Sequence, residues 1–325
     1  MSVGLGLSVA GFRPAPLHGQ SGLAPRVESG AAECCLVLLL PVGARSVALG
    51  RALTAAGAAD AVFANPAGLA SLAKGSFVIH RNTLAAEASA FSLLLTPREV
   101  GTIGLSYQLV DFGEIEQTDE NGQTTGGLTI RHHLVIASFA TQVVKGLGAG
   151  LNYKVYQFRV GCRGTCLEDD LTATTHAIDV GIDLEPSIVP GLRLGAAAVN
   201  IGFPLQVINA EQADPLPTRL RLGAAYDVLR ALAPRSDLEL WWTVELIDEW
   251  GEPGSPSLSS GLELAVADAV YLRAGYVPGD GVGTGVGVGI GIRFERFMIS
   301  VAKSFAAGLL EATGDPVQLS FELGF

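Results

Sequence analysis

The final ten residues, "PVQLSFELGF", set Val317, Leu319, Phe321, Leu323 and Phe325 on one face of an extended chain. Gln318, Ser320, Glu322 and Gly324 fall on the other. A period of two marks a strand with one apolar side. The pattern returns in "TRLRLGAAYDV", where Leu220, Leu222, Ala224, Tyr226 and Val228 alternate with Arg219, Arg221, Gly223, Ala225 and Asp227. In "SDLELWWTVEL" Leu238, Leu240, Trp242, Val244 and Leu246 oppose Glu239, Trp241, Thr243 and Glu245. In "GVGTGVGVGIGIRF" every odd position from Gly281 to Gly291 is a glycine. That run is no dinucleotide loop, because a strict period of two cannot supply the odd offset of G-x-G-x-x-G. It reads instead as a strand with one bare face, against which something packs closely.

From Gly75 onward this periodicity predicts about fourteen strands, a number usual for outer-membrane barrels. They fall near 75–82, 87–96, 99–111, 128–142, 146–159, 173–185, 191–201, 217–229, 236–249, 257–267, 269–278, 281–294, 296–305 and 315–325. Most reach the length that a tilted membrane strand needs. Alternate connections are short: "TPRE", "VVKG", "ADAV" and "ERF". Between them lie long ones, such as "DFGEIEQTDENGQTTGG", "GCRGTCLEDDLT", "FPLQVINAEQADPLP" and "EWGEPGSPS". Short turns at one end and long loops at the other are how a membrane barrel is built. An even strand count expects both barrel termini on the short-turn, periplasmic side.

Composition separates a membrane barrel from a soluble protein with a large core. Of 325 residues, 49% are hydrophobic and only 16% charged, against roughly 25% charged in soluble domains. Mean hydropathy is +0.39. The longest apolar stretch, "CCLVLLLPV" at 34–42, is far too short for a membrane helix and contains Pro41. The 41 glycines argue against a helical fold. Net charge is −11, which excludes nucleic acid as a partner. The expected fold is therefore all-β, a transmembrane antiparallel barrel in a bacterial outer membrane.

Residues 1–29 read as an export signal and leader, and 75–325 as the barrel. Between them, residues 30–74 are small and apolar. A barrel this wide is not filled by its own wall, so this segment is expected to act as a hatch inside it. In "FANPAGLASL", Asn65 caps and Pro66 begins a short helix. Phe325, a terminal aromatic on an alternating strand, is assigned as a signal for the barrel-assembly machinery.

The segments "PVGARSVALGRALTA" (41–55), "ANPAGLASL" (64–72), "NIGFPLQ" (200–206), "DPLPTRLRLGAAYD" (214–227) and "LRAGY" (272–276) occur in that order. Together they resemble the PorV/PorQ outer-membrane proteins, relatives of the FadL-type transporters. The resemblance implies a fourteen-strand barrel with an N-terminal hatch, whose motif here is Gly43, Ala44, Arg45, Asn65, Pro66, Ala67, Gly68 and Leu69. The sequence departs from the family pattern at Leu49-Gly50-Arg51, where Met-Gly-Gly is usual, and at Phe63-Ala64. For function it implies a non-catalytic accessory in protein export or surface display, with secreted cargo proteins or type IX secretion subunits as partners. The alternative is a passive channel for hydrophobic small molecules, gated by the hatch.

No G-x-S-x-G, H-E-x-x-H or Walker loop is present, and no cofactor or metal is expected. His132 and His133 are adjacent on a strand, so they point to opposite faces and cannot share a metal. Cys162 and Cys166 form either a loop disulfide or two free thiols. Arg219, Arg221, Glu239, Glu245, Arg273, Arg293 and Glu322 alternate with lipid-facing apolar residues. They are expected to line the lumen, pair there and anchor the hatch. Asp111, Glu114, Glu116, Asp119 and Glu120 are expected in one acidic outer loop.

Overall fold

The computed structural model describes residues 33–325, apart from 84–86, 165–169, 233–236, 252, 279–283 and 308–316. Fourteen strands form one closed antiparallel barrel, each hydrogen-bonded to its sequence neighbours, with β1 closing on β14. They are β1 (Ser76–Thr83), β2 (Glu87–Leu95), β3 (Thr102–Thr118), β4 (Thr124–Val144), β5 (Leu147–Gly164), β6 (Leu171–Leu184) and β7 (Leu192–Gly202). The rest are β8 (Arg219–Asp227), β9 (Leu238–Glu249), β10 (Ser257–Val266), β11 (Val270–Val277), β12 (Thr284–Phe294), β13 (Phe297–Ala307) and β14 (Val317–Gly324).

Alternation decides which way each side chain points. Leu105 (53% exposed), Ile182 (54%), Leu262 (47%) and Ile299 (51%) lie on four different strands and all face outward. Apolar exposure around a whole circumference is incompatible with water and fits a hydrocarbon surround. The inward positions are buried and often polar: Ser92, Ser106, Asn152, Asp179, Glu245 and Gln318. No helix among the described residues is long and apolar enough to cross a membrane.

The acidic loop expected at 111–127 is largely strand. β3 and β4 run on to Thr118 and Thr124, past a register shift between Asp111 and Glu114. This ribbon stands beyond the apolar band, so neither of its faces needs to be apolar and the alternation that marks a strand is missing. Its carboxylates are partly paired, Asp111 with Arg131 and Glu114 with Arg163, both at 2.7 Å.

Residues 33–75 occupy the lumen in short turns of helix: Leu36–Leu39, α1 (Ala44–Ala48), Ala59–Phe63 and Pro66–Ser71. Their apolar residues Ala59, Ala61, Val62 and Leu69 pack against Val78, Leu94, Leu134, Ile136 and Tyr156 of the wall. Glu33 pairs with Arg219, and the Cys34 amide donates to Pro215 O (3.0 Å), both at the long-loop mouth. Gly75 O accepts from Phe325 N (2.9 Å) at the short-turn mouth. The segment therefore passes through the lumen from one mouth to the other before turning back as β1. Among the described residues Glu33 lies at the long-loop mouth, while the start of β1 and the end of β14 lie together at the short-turn mouth, as the even strand count expects for the barrel.

Candidate functional site: the hatch and its two cavities

Glycine makes room for the hatch. Strand register pairs Gly150 with Gly181, Gly195 with Gly223, Gly261 with Gly275, and Gly275 with Gly287. A Cβ at Gly150 would strike the Pro66 and Ala67 backbone, and one at Gly195 the Thr54 carbonyl. At Gly275 it would meet Leu49 and Gly50, and at Gly287 the Val47 carbonyl. A tier of bare wall thus follows the path of the hatch backbone. The bare face read from 281–291 takes part through Gly287 and Gly289, while Gly281 and Gly283 lie outside the described residues.

Polar side chains then fix the register between hatch and wall. Arg45, on α1, grips Glu263 of β10 with Nε at 3.0 Å from Oε2 and Nη2 at 3.1 Å from Oε1. Arg273 of β11 donates to the same carboxylate at 2.5 Å and to Ser300 Oγ at 3.2 Å. Glu245 of β9 is fully buried. It accepts from Arg221 Nε (2.7 Å) and from the Thr54 amide of the hatch (2.9 Å). A buried carboxylate is tolerated only when paired and hydrogen-bonded, and both of these are.

Asn65 accepts from the Ala67 amide (3.1 Å), so it caps the turn that Pro66 begins. Its Nδ2 also donates to Thr54 O (2.8 Å) and to Ile182 O of the wall (3.0 Å). Gly43 adopts φ 88° beside the His80 ring, a conformation and a clearance that only glycine supplies. The Ala44 amide donates to Ser320 Oγ (2.8 Å), and Gly68 and Leu69 are buried against neighbouring turns and wall.

Of the charged wall residues named from the sequence, Arg219, Arg221, Glu245 and Arg273 face inward and are buried or nearly so. Glu322 is half-buried and lines a cavity with Arg45, His80 and Arg273. Arg293 lines the same cavity and pairs with the exposed Asp268 at 2.6 Å. Glu239 differs from expectation: it lies exposed at the short-turn rim, where it accepts from Trp241 Nε1 (3.0 Å). It is at the strand end where the lumen opens to solvent, so alternation gives the face and not the depth. Cys166 lies outside the described residues, and with it the expected pairing to Cys162; Cys34 and Cys35 form a disulfide with each other.

Sequence reasoning missed Glu263, although its place between Leu262 and Leu264 marks it as an inward charge. It also missed a buried network on β5, β6 and β7. Lys154 pairs with Asp179 (2.8 Å) and donates to Asn200 Oδ1 (2.8 Å). Asn152 donates to Asp179 and to Val62 O of the hatch, each at 2.8 Å. Asn200 sits at a bulge with φ 60°, which asparagine tolerates better than most residues.

Two cavities flank the hatch. One, of about 370 Å³, is lined by apolar Leu38, Leu39, Pro41, Leu53, Phe63, Val199 and Ile247 together with polar Ser46, Arg51, Lys154, Asn200, Arg219 and Arg221, and runs out to exposed Glu249 and Ser255 at the long-loop mouth. The other, of about 220 Å³, lies towards the short-turn mouth and is bounded by Arg45, Asp60, His80, Glu263, Arg273 and Glu322. The first mixes apolar and polar walls, and in the second charged side chains stand among Ala58, Leu72, Val78 and Met298.

The chain belongs to UPF0164, an uncharacterised protein family whose model matches residues 21–312. No curated protein matches it by sequence. Among solved structures it is similar to the CymD monoaromatic hydrocarbon channel, with TM-score 0.61, 12% identity, and 90% of this chain and 99% of that one covered. The toluene transporter TbuX of Ralstonia pickettii gives TM-score 0.58 and 12% identity, covering 87% of this chain and 98% of that one. The toluene transporter TodX of Pseudomonas putida gives 0.56 and 14%, covering 87% and 96%.

Proposed function

We propose that the protein is an outer-membrane channel for hydrophobic small molecules, with residues 33–75 as its gate. The observation that carries this reading is the cavity of about 370 Å³, with an apolar wall of leucines, Pro41, Phe63, Val199 and Ile247 among its polar residues, open to the long-loop mouth and ending on the hatch. Such a pocket suits small apolar ligands. The hatch then separates it from the charged cavity beneath, so passage requires the hatch to shift. In this reading the long loops face outward and the short turns the periplasm. Phe325, exposed at the short-turn mouth, remains available to assembly machinery there. We assign the protein no reaction and no cofactor.

Export of proteins, the reading favoured by the PorV/PorQ resemblance, has no counterpart among the similar structures named above, which are hydrocarbon channels and transporters. Secretion-system partners therefore rest on that resemblance alone.

The test is uptake of labelled toluene by a host whose own hydrophobic-compound channel has been deleted. Expression of this chain is expected to restore uptake, and Leu39→Trp, which fills the cavity, to remove it. Uptake no faster than in the empty host, for both the wild-type protein and a variant with its hatch loosened by Glu263→Gln, overturns the reading.

A further inference from the structure

On the outer wall the strand register lays side chains in rows across β2 to β6. One row runs Leu93, Leu105, Ala137, Tyr153 and Ile178, wholly apolar but for one phenol. Next towards the long-loop end come Phe91, Tyr107, Val135, Val155 and His176, and then Ser89, Leu109, His133, Gln157 and Thr174. The following row is Glu87, Asp111, Arg131, Arg159 and Thr172. Over these four rows the wall passes from hydrocarbon-like to aromatic to charged, which is the gradient of a membrane interface.

In the charged row Arg131 and Arg159 stand directly opposite each other on adjacent strands. Such partners have Cβ atoms about 4.5–5.5 Å apart, and like charges in that relation repel. Arg131 is held by Asp111 at 2.7 Å. Arg159 is exposed and makes no ion pair or hydrogen bond among the described residues. In the row beneath, Tyr107 Oη and His133 Nδ1 lie 2.7 Å apart, while His133 Nε2 is buried without a partner. In the tautomer where Tyr107 donates, that nitrogen carries an unused N–H. In a chain of net charge −11, a cation facing a cation with a spare donor below leaves an unfilled place for an anion.

We propose that Arg131, Arg159 and His133 bind the phosphate of an anionic membrane lipid headgroup, one with no cation of its own to neutralise it, whose acyl chains lie on the apolar rows below. Arginine suits a phosphate through its planar fork of donors, and the flanking tyrosine and phenylalanine give the chains an ordered surface. The inference depends on the outer wall facing lipid and is independent of what the lumen carries.

The test uses the full chain in nanodiscs made from equal amounts of phosphatidylglycerol and phosphatidylcholine, with native mass spectrometry counting the lipids retained on release. The wild-type protein is expected to retain the anionic lipid about fivefold over the zwitterionic one. Arg159→Gln removes that preference, and Arg159→Lys keeps part of it. Equal retention of both lipids by the wild-type protein overturns the proposal. So does a preference that survives in Arg159→Gln with Arg131→Gln combined.

Discussion

Arg45 and Glu263, 218 residues apart in sequence, meet through two parallel hydrogen bonds inside the barrel. Arg273 closes on the same carboxylate from the neighbouring strand. One wall acid thus holds two cations, one from the hatch and one from the wall. Glu263→Gln strands both guanidinium groups in a buried site, at a cost of about 3–5 kcal/mol. Unfolding in denaturant is expected to show the loss. Hydrogen exchange in residues 43–60 is expected to accelerate more than in the strands, since the wall keeps its ladders. Uniform acceleration would mean that Glu263 supports the barrel rather than the hatch.

Gly275 has no room for a side chain, because Leu49 and Gly50 lie against it. Gly275→Val is expected to leave a barrel that resists heat in gel-shift assays but whose hatch is displaced. Limited proteolysis between Ala48 and Ala58 measures that displacement. Gly251→Val, at a loop position with nothing within 4 Å of a Cβ, is the matched control for space. An equal proteolytic pattern in the two variants would contradict close packing at Gly275.

Asn65 joins three things at once: the turn begun by Pro66, the Thr54 carbonyl and the Ile182 carbonyl of β6. Loss of a cap costs about 1 kcal/mol, and the buried carbonyls left behind add about 1–3 kcal/mol. Asn65→Asp keeps the cap acceptor but sets a buried carboxylate against both carbonyls, so it is expected to destabilise at least as much as Asn65→Ala. Denaturant midpoints of the two variants decide this, and a clearly milder loss in Asn65→Asp would deny the two carbonyl contacts their role.

Asp119 lies at the tip of the β3–β4 ribbon, outside the apolar band. Its carboxylate accepts from the Gln123 and Asn121 amides, each at 2.9 Å, and the Gln123 bond is the main cause holding its pKa below the ordinary aspartate range. A depressed folded pKa gives stability that is present above the unfolded value and lost as pH falls through the folded one. The Gln123 amide resonance is therefore expected to stay in place on acidification past about pH 3.9 and move only below it. A midpoint at or above that value would contradict the turn geometry.

Alternation made the wall legible, because each strand has one face in hydrocarbon and its apolar residues recur at every second position. It was enough to place Arg219, Arg221, Glu245 and Arg273 inside. It failed where the surroundings no longer differ between the two faces. Past Asp111 the β3–β4 ribbon has solvent around it, and at Glu239 the lumen has already opened. Nor does period two carry any information about partners. That Glu263 meets Arg45, or that Asn152 reaches Val62, depends on the path of a segment with no period at all. The hatch itself was legible from composition and from Asn65-Pro66, whereas its route from mouth to mouth was not.

That route has a consequence for assembly. β1 leaves the hatch directly and can close only on β14, the last strand to be made. A pairing between the two extremes of a chain is slow to form, because the loop it closes is the longest available. A leading segment that lies along the axis throughout that delay is enclosed as the ring closes, whereas one laid in later would have to thread the finished ring end-on. The protein is in this sense wound around its own beginning: the cord is laid first, and the cask is raised about it stave by stave until the final stave meets the first.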